Sequence, residues 1–140
     1  MTKNPRPGDQ QLPEKNDSPS IQSLILDEMT RLGKNSGFWK LIRTDIRERE
    51  KIGVERYGTA LQAHNGRDAI RDAYEEALDG LFYVRQALQE DSTNSPLRHA
   101  YSAQWEAVLS LRQALGARRL GYRPDGHSFG AFRSDADETK

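Results

Sequence analysis

Residues 68–90 read D-A-I-R-D-A-Y-E-E-A-L-D-G-L-F-Y-V-R-Q-A-L-Q-E, and the spacing of their side chains decides the fold. At about 100° per residue, the turn of an α-helix, Ile70, Ala73, Ala77, Leu81, Val84 and Leu88 trace an apolar stripe that Tyr74, Leu78 and Phe82 widen. Asp72, Glu76, Asp79 and Tyr83 trace a second stripe, because steps of four, three and four residues nearly close on whole turns. Strand alternation would scatter both sets over two faces, so the segment is read as one long helix.

Like charges one turn apart weaken a helix by about 0.2–0.5 kcal/mol per pair, so a surface helix usually mixes its signs. Here three carboxylates share a face bordered by core-forming residues. Two readings are open. A divalent cation is one of the few partners that offsets several carboxylates at once. Alternatively the row is a structural face: Asp68 and Asp72 sit near the helix start, where the macrodipole favours negative charge, and Arg67, Arg71 or Arg85 neutralise the remainder.

Outward from this helix the pattern stays helical. Ser18 followed by Pro19 reads as a helix start, and Ile21, Leu24, Ile25, Met29 and Leu32 recur at helical spacing up to Gly33. A second helix begins near Phe38 and runs towards Gly58, with Phe38, Leu41, Ile42 and Ile46 expected to face a core. Its later half is heavily charged; Glu48 and Glu55 lie among Arg47, Arg49, Lys51 and Arg56, as on a solvated, ion-paired face or as further metal ligands. After a polar loop at residues 91–96, Leu97, Tyr101, Trp105, Val108, Leu109, Leu111 and Leu115 mark a last helix ending near Gly116. Tyr74 to Leu88 and Tyr101 to Leu115 share a Tyr and an R-Q-A-L at the same offset, a hint of duplication. The expectation is an all-α fold of about four helices in a bundle: a disordered arm at 1–17, a helical domain at 18–117 and a flexible tail at 118–140.

With 140 residues the chain is about one domain long, and 35% hydrophobic against 30% charged residues makes for a small core that a partner copy would complete. A homo-oligomer is therefore expected. Lys plus Arg and Asp plus Glu are equal at 21 each, so no net field draws the chain to nucleic acid, and nucleic acid is not an expected partner. With no cysteine, disulfides, cysteine-ligated zinc and thiol catalysis are excluded. No apolar run is long enough for a bilayer and no signal-peptide core precedes the helices, which points to a cytoplasmic protein without a membrane partner.

The connection R-Y-G-T-A-L-Q-A-H-N-G-R-D at 56–68 is turned by Gly58 and Asn65-Gly66. Thr59, Gln62, His64 and Asn65 offer donors and acceptors to a small polar ligand, and Tyr57 a surface for stacking; loops rich in such groups are also simply loops.

The runs E-R-Y-G-T at 55–59, L-Q at 61–62, H-N-G-R-D at 64–68 and D-A-Y-E-E-A-L-D at 72–79, with Tyr83-x-Arg85-Gln86, resemble a group of small actinobacterial and phage proteins similar to the MazG-like all-α nucleoside triphosphate pyrophosphatases. The resemblance spans residues 45–88. That superfamily carries E-E-x-x-E on one helix and E-x-x-D on a later one; Glu76-Ala77-Leu78-Asp79 matches the second, whereas residues 47–58 hold Glu48, Glu50 and Glu55 without the first. The resemblance implies Glu76 and Asp79, with Asp72 as substitute for a missing ligand, holding Mg2+ or, in its place, Mn2+. It implies Glu75 or Glu48 as the base, a nucleotide substrate contacted by Tyr57, Gln62, His64, Asn65, Arg67, Tyr83 and Arg85, and cleavage between the α and β phosphates. The alternative is a non-catalytic helical module binding a nucleotide, a signalling molecule or a protein partner.

Overall fold

The computed structural model describes residues 10–116, and all four expected helices are present: α1 Ile21–Arg31, α2 Phe38–Tyr57, α3 Ala69–Glu90 and α4 Ser95–Leu115, with no strand among the described residues. The tail expected at 118–140 and the first nine residues of the expected arm lie outside the described residues. The chain divides into two compact units, Gln10–Arg67 and the residues from Asp68 onward.

The first unit is an α1–α2 hairpin with an ordered leader. Helix α1 starts at Ser20, not at the expected Ser18: the Ser20 hydroxyl accepts from Ser23 N at 3.1 Å. The shift has a tertiary cause. Asn16 Oδ1 turns the chain by accepting Ser18 N at 2.8 Å, and Ser18 O accepts from the Gln62 amide at 2.6 Å, so neither residue is available to open the helix. Residues 10–17, expected to be disordered, are instead seated on the 61–67 loop through Glu14 N to Asn65 O (2.9 Å) and a bridge pairing Ser20 with Gln62.

Helix α1 ends at Leu32–Gly33, and α2 is joined to it by Arg43, whose guanidinium donates to Leu26 O at 3.0 Å. Gly58, at φ 74°, closes α2 by donating to Val54 O, the left-handed cap that glycine adopts without a Cβ clash. Met29 is buried on α1, but α2 buries no residue. The core face expected of α2 is thus absent: Phe38 is 83% exposed, and Leu41 and Ile42 are exposed with it.

The second unit is the α3–α4 hairpin. Asp68 caps α3 by accepting Arg71 N at 3.2 Å, and Asn94 caps α4 by accepting Leu97 N at 3.2 Å with Pro96 in the first turn. In the turn between them Asp91 Oδ1 accepts both the backbone N–H of Thr93 (3.1 Å) and its hydroxyl (2.7 Å). Ala77, Leu81 and Val108 make the buried centre, with Tyr74, Leu78, Tyr101, Ala107 and Leu111 packed around it. The two tyrosines that begin the repeated pattern therefore meet the same core. Gly80 is the point of close approach: a Cβ there would lie 3.0 Å from the Gln104 amide atoms.

Candidate functional site

Packing one face of α3 against α4 decides which residues face outward. Ala77 and Leu81 are buried, so the stripe set off from them by helical rotation lies at the surface: Glu76, Asp79 and Tyr83 are exposed, and Asp72 is half-buried. The expected row of carboxylates is present on one uninterrupted helix. Steps of four and three residues place successive carboxylates about 6 and 4.5 Å apart along the axis, so neighbouring ones can present oxygen to a shared ligand or to water. Among the described residues, no three His, Asp or Glu side chains are gathered as a preformed metal cage.

Glu75, one of the two candidate bases, is ion-paired with Arg71 at 2.9 Å along the same helix. The other, Glu48, is exposed on α2 in the first unit. Arg85 is exposed on α3.

The polar loop of the first unit has a different arrangement from the one its composition implies. Gln62 holds the chain's own leader with its amide: Oε1 accepts Asn16 N at 3.0 Å, beside the Thr59 hydroxyl at 3.3 Å, and Nε2 donates to Asn16 O at 2.7 Å and Ser18 O at 2.6 Å. Asn16 answers by donating from Nδ2 to Ala63 O (2.9 Å) and His64 O (3.2 Å). Asn65, 6% exposed, accepts Arg67 N on its side chain and Glu14 N on its carbonyl. Arg67 donates to Gln11 O at 2.6 Å. Gly66, at φ 83°, adopts a left-handed backbone conformation that favours glycine, and a Cβ there would meet only the flexible end of the Gln11 side chain.

Three of the residues named as ligand contacts, Gln62, Asn65 and Arg67, thus hold the leader in this structure. His64 is exposed at φ 56°, and Tyr57 is half-exposed with the Arg56 guanidinium 5.5 Å from its ring centre. Sequence reasoning missed Asn16, which is the leader's counterpart to Gln62. The available signal was N-D-S-P at 16–19, a side-chain-to-backbone turn sequence, but turn propensity says nothing of a partner 46 residues away.

The chain matches no family model, and no curated protein or solved structure matches it. No helix among the described residues is long and apolar enough to cross a membrane.

Proposed function

We propose that the chain is a metal-dependent nucleotide pyrophosphohydrolase of the MazG-like kind, cleaving a ribo- or deoxyribonucleoside triphosphate to the monophosphate and pyrophosphate in the cytoplasm. One observation carries the reading: Asp72, Glu76 and Asp79 line the outward face of α3, with Glu76 and Asp79 in the E-x-x-D spacing of the resemblance. Their hard oxygen donors suit magnesium, which keeps much of its water and asks for few protein ligands, so Asp72, Glu76 and Asp79 would hold it. When bound, the ion supplies neutralising charge for the phosphates.

The chain's own residues do the rest. Phosphoryl transfer depends on positioning and electrostatics more than on a covalent nucleophile, and the sequence has no cysteine to act as one. Glu75 accepts a proton from the water that attacks the α phosphorus as its bond to the α–β bridging oxygen breaks and pyrophosphate departs. For Glu75 this requires release from Arg71. Tyr83 and Arg85, exposed on α3, contact the substrate. The exposed apolar residues of α2, Phe38, Leu41 and Ile42, support a homo-oligomer in which a second copy covers them.

The bonds between Gln62, Asn65, Arg67 and the leader favour a second reading, a non-catalytic helical module that binds a nucleotide, a signalling molecule or a protein. Two variants and a titration separate the two. Under the enzyme reading Glu76→Gln and Asp79→Asn abolish pyrophosphate release while the helical circular dichroism signal is retained, and magnesium with nucleotide gives a calorimetric binding signal. Absence of heat at millimolar magnesium, with and without nucleotide, supports the module.

A further inference from the structure

Helix α2 is poorly explained by its own packing: it buries no residue, yet it carries Phe38 at 83% exposure, Leu41 at 60% and Ile52 at 44%. Rotation of about 100° per residue sets Phe38, Leu41, Ile42, Asp45, Arg49 and Ile52 within about 100° of arc, whose middle lies about 150° round the helix from Arg43, the residue that reaches α1. This stripe is therefore turned away from α1. Asp45 and Arg49, at its centre, are exposed, and among the described residues neither is in an ion pair, although they stand one turn apart.

We infer that α2 pairs antiparallel with α2 of a second copy, about a two-fold axis level with Arg47. The pairing rests on the homo-oligomer proposed above, gives it an interface, and takes nothing from the catalytic reading. In such an isologous pair, residues equally far from the axis meet, and each meeting occurs twice. Two residues from Arg47, Asp45 faces Arg49 of the second copy; five residues away, Ile42 faces Ile52; six away, Leu41 faces Gly53; nine away, Phe38 faces Arg56. Acid thus meets base, aliphatic meets aliphatic, and an aromatic ring meets a guanidinium.

Two further observations select this register. A glycine inside a helix weakens it, and a Cβ at Gly53 would meet nothing within 4 Å among the described residues, so the chain's own packing does not call for one. Opposite Leu41 of a second copy, the missing side chain leaves the room that a large one needs. The charges give the same answer. Centring the pair on Asp45 or on Arg49 instead, a relative slide of about one helical turn, sets that residue against its own like charge, and a parallel pair does so at both positions. A partner other than a second copy has no reason to mirror the stripe about its own midpoint.

Sedimentation velocity of the full chain tests the pairing. The wild-type chain dimerises, and Asp45→Arg and Arg49→Asp, each setting two like-charge pairs across the axis, weaken its self-association roughly 100-fold. Mixed in equal amounts, the two variants restore opposite charges at both positions and dimerise again. Interactions within one chain cannot produce that recovery, because each variant alone carries like charges one turn apart. A wild-type chain that stays monomeric at high concentration overturns the inference and the homo-oligomer with it. A wild-type dimer that both variants leave intact, or variants that fail to recover on mixing, overturns this interface alone. A second measurement does not depend on charge. The chain has no cysteine, so mild oxidation of Ile42→Cys mixed with a size-tagged Ile52→Cys gives a disulfide between unlike chains, while in either variant alone the two sulfurs lie about 15 Å apart along the axis and stay reduced. No disulfide in the mixture, or equal yields in the mixture and the single variants, also overturns the inference. Neither experiment reads nucleotide turnover, so failure of the pairing and failure of the pyrophosphohydrolase reading are told apart.

Discussion

Replacing Gln62 by alanine removes the side chain on which the leader is fastened. Three hydrogen bonds to the leader disappear together, from Asn16 N to Oε1 at 3.0 Å and from Nε2 to Asn16 O at 2.7 Å and to Ser18 O at 2.6 Å, and with them the one that the Thr59 hydroxyl donates to Oε1 at 3.3 Å. Each is worth about 0.5–1.5 kcal/mol net, and the partners freed here are only part-buried and regain water on opening, so a total near 2 kcal/mol is expected. At about 1.4 kcal/mol per factor of ten, the leader would open roughly 30-fold more often. Amide hydrogen exchange reads this directly. The Glu14 and Ile21 amides, which donate to Asn65 O and Leu61 O, should exchange roughly 30-fold faster in Gln62→Ala, while the Val108 amide of the α3–α4 hairpin keeps its rate. Gln62→Glu is the sharper variant, because it retains the acceptor for Asn16 N but sets a carboxylate oxygen against two carbonyls. Its leader should open more often still at neutral pH and recover as acid restores a donor. Exchange at Glu14 and Ile21 unchanged in Gln62→Ala would refute the reasoning and return Gln62 to the role of a ligand contact.

The α3–α4 hairpin gives two further expected outcomes. The Thr93 hydroxyl, and secondarily its backbone N–H, hold the Asp91 carboxyl below its ordinary value of 3.8 against a small opposing effect of burial. A depressed carboxylate contributes stability that is present above the unfolded value and lost as pH falls through the folded one. An NMR titration should therefore place the Asp91 midpoint below 3.8, and Thr93→Val should move it up; a midpoint unmoved by that change would contradict the assignment. At Gly80 an added methyl meets the Gln104 amide at 3.0 Å, so Gly80→Ala with Gln104→Ala should gain about 1 kcal/mol of helix propensity that Gly80→Ala alone does not deliver in full. Equal melting temperatures for the single and double variants would show that Gln104 simply swings aside.

The helices were legible because their signals are local. Asp68 near the start of α3 and Gly58 after α2 each act through the backbone of their own turn and stand where the sequence places them, and α4 begins within the expected loop at 91–96, capped by Asn94. The outward acidic face of α3 was legible for the same reason, since helix geometry fixes it once Ala77 and Leu81 turn inward. The features that were not legible depended on distant partners. Ser18 is an adequate cap in isolation, yet Gln62 claims its carbonyl and the helix begins at Ser20 instead. The loop's donors and acceptors were readable as such, but composition does not distinguish a bound ligand from the chain's own leader. The apolar residues of α2 have helical spacing without a surface to meet, so periodicity alone overstated its burial.

The most direct test of the central proposal is incubation of the full chain with a panel of ribo- and deoxyribonucleoside triphosphates plus magnesium or manganese, resolving pyrophosphate from orthophosphate, with Glu76→Gln alongside. The proposal predicts monophosphate and pyrophosphate in equal amounts from at least one nucleotide, and none from the variant. No product from any nucleotide by protein of demonstrated helicity, or equal product from the variant, would contradict it.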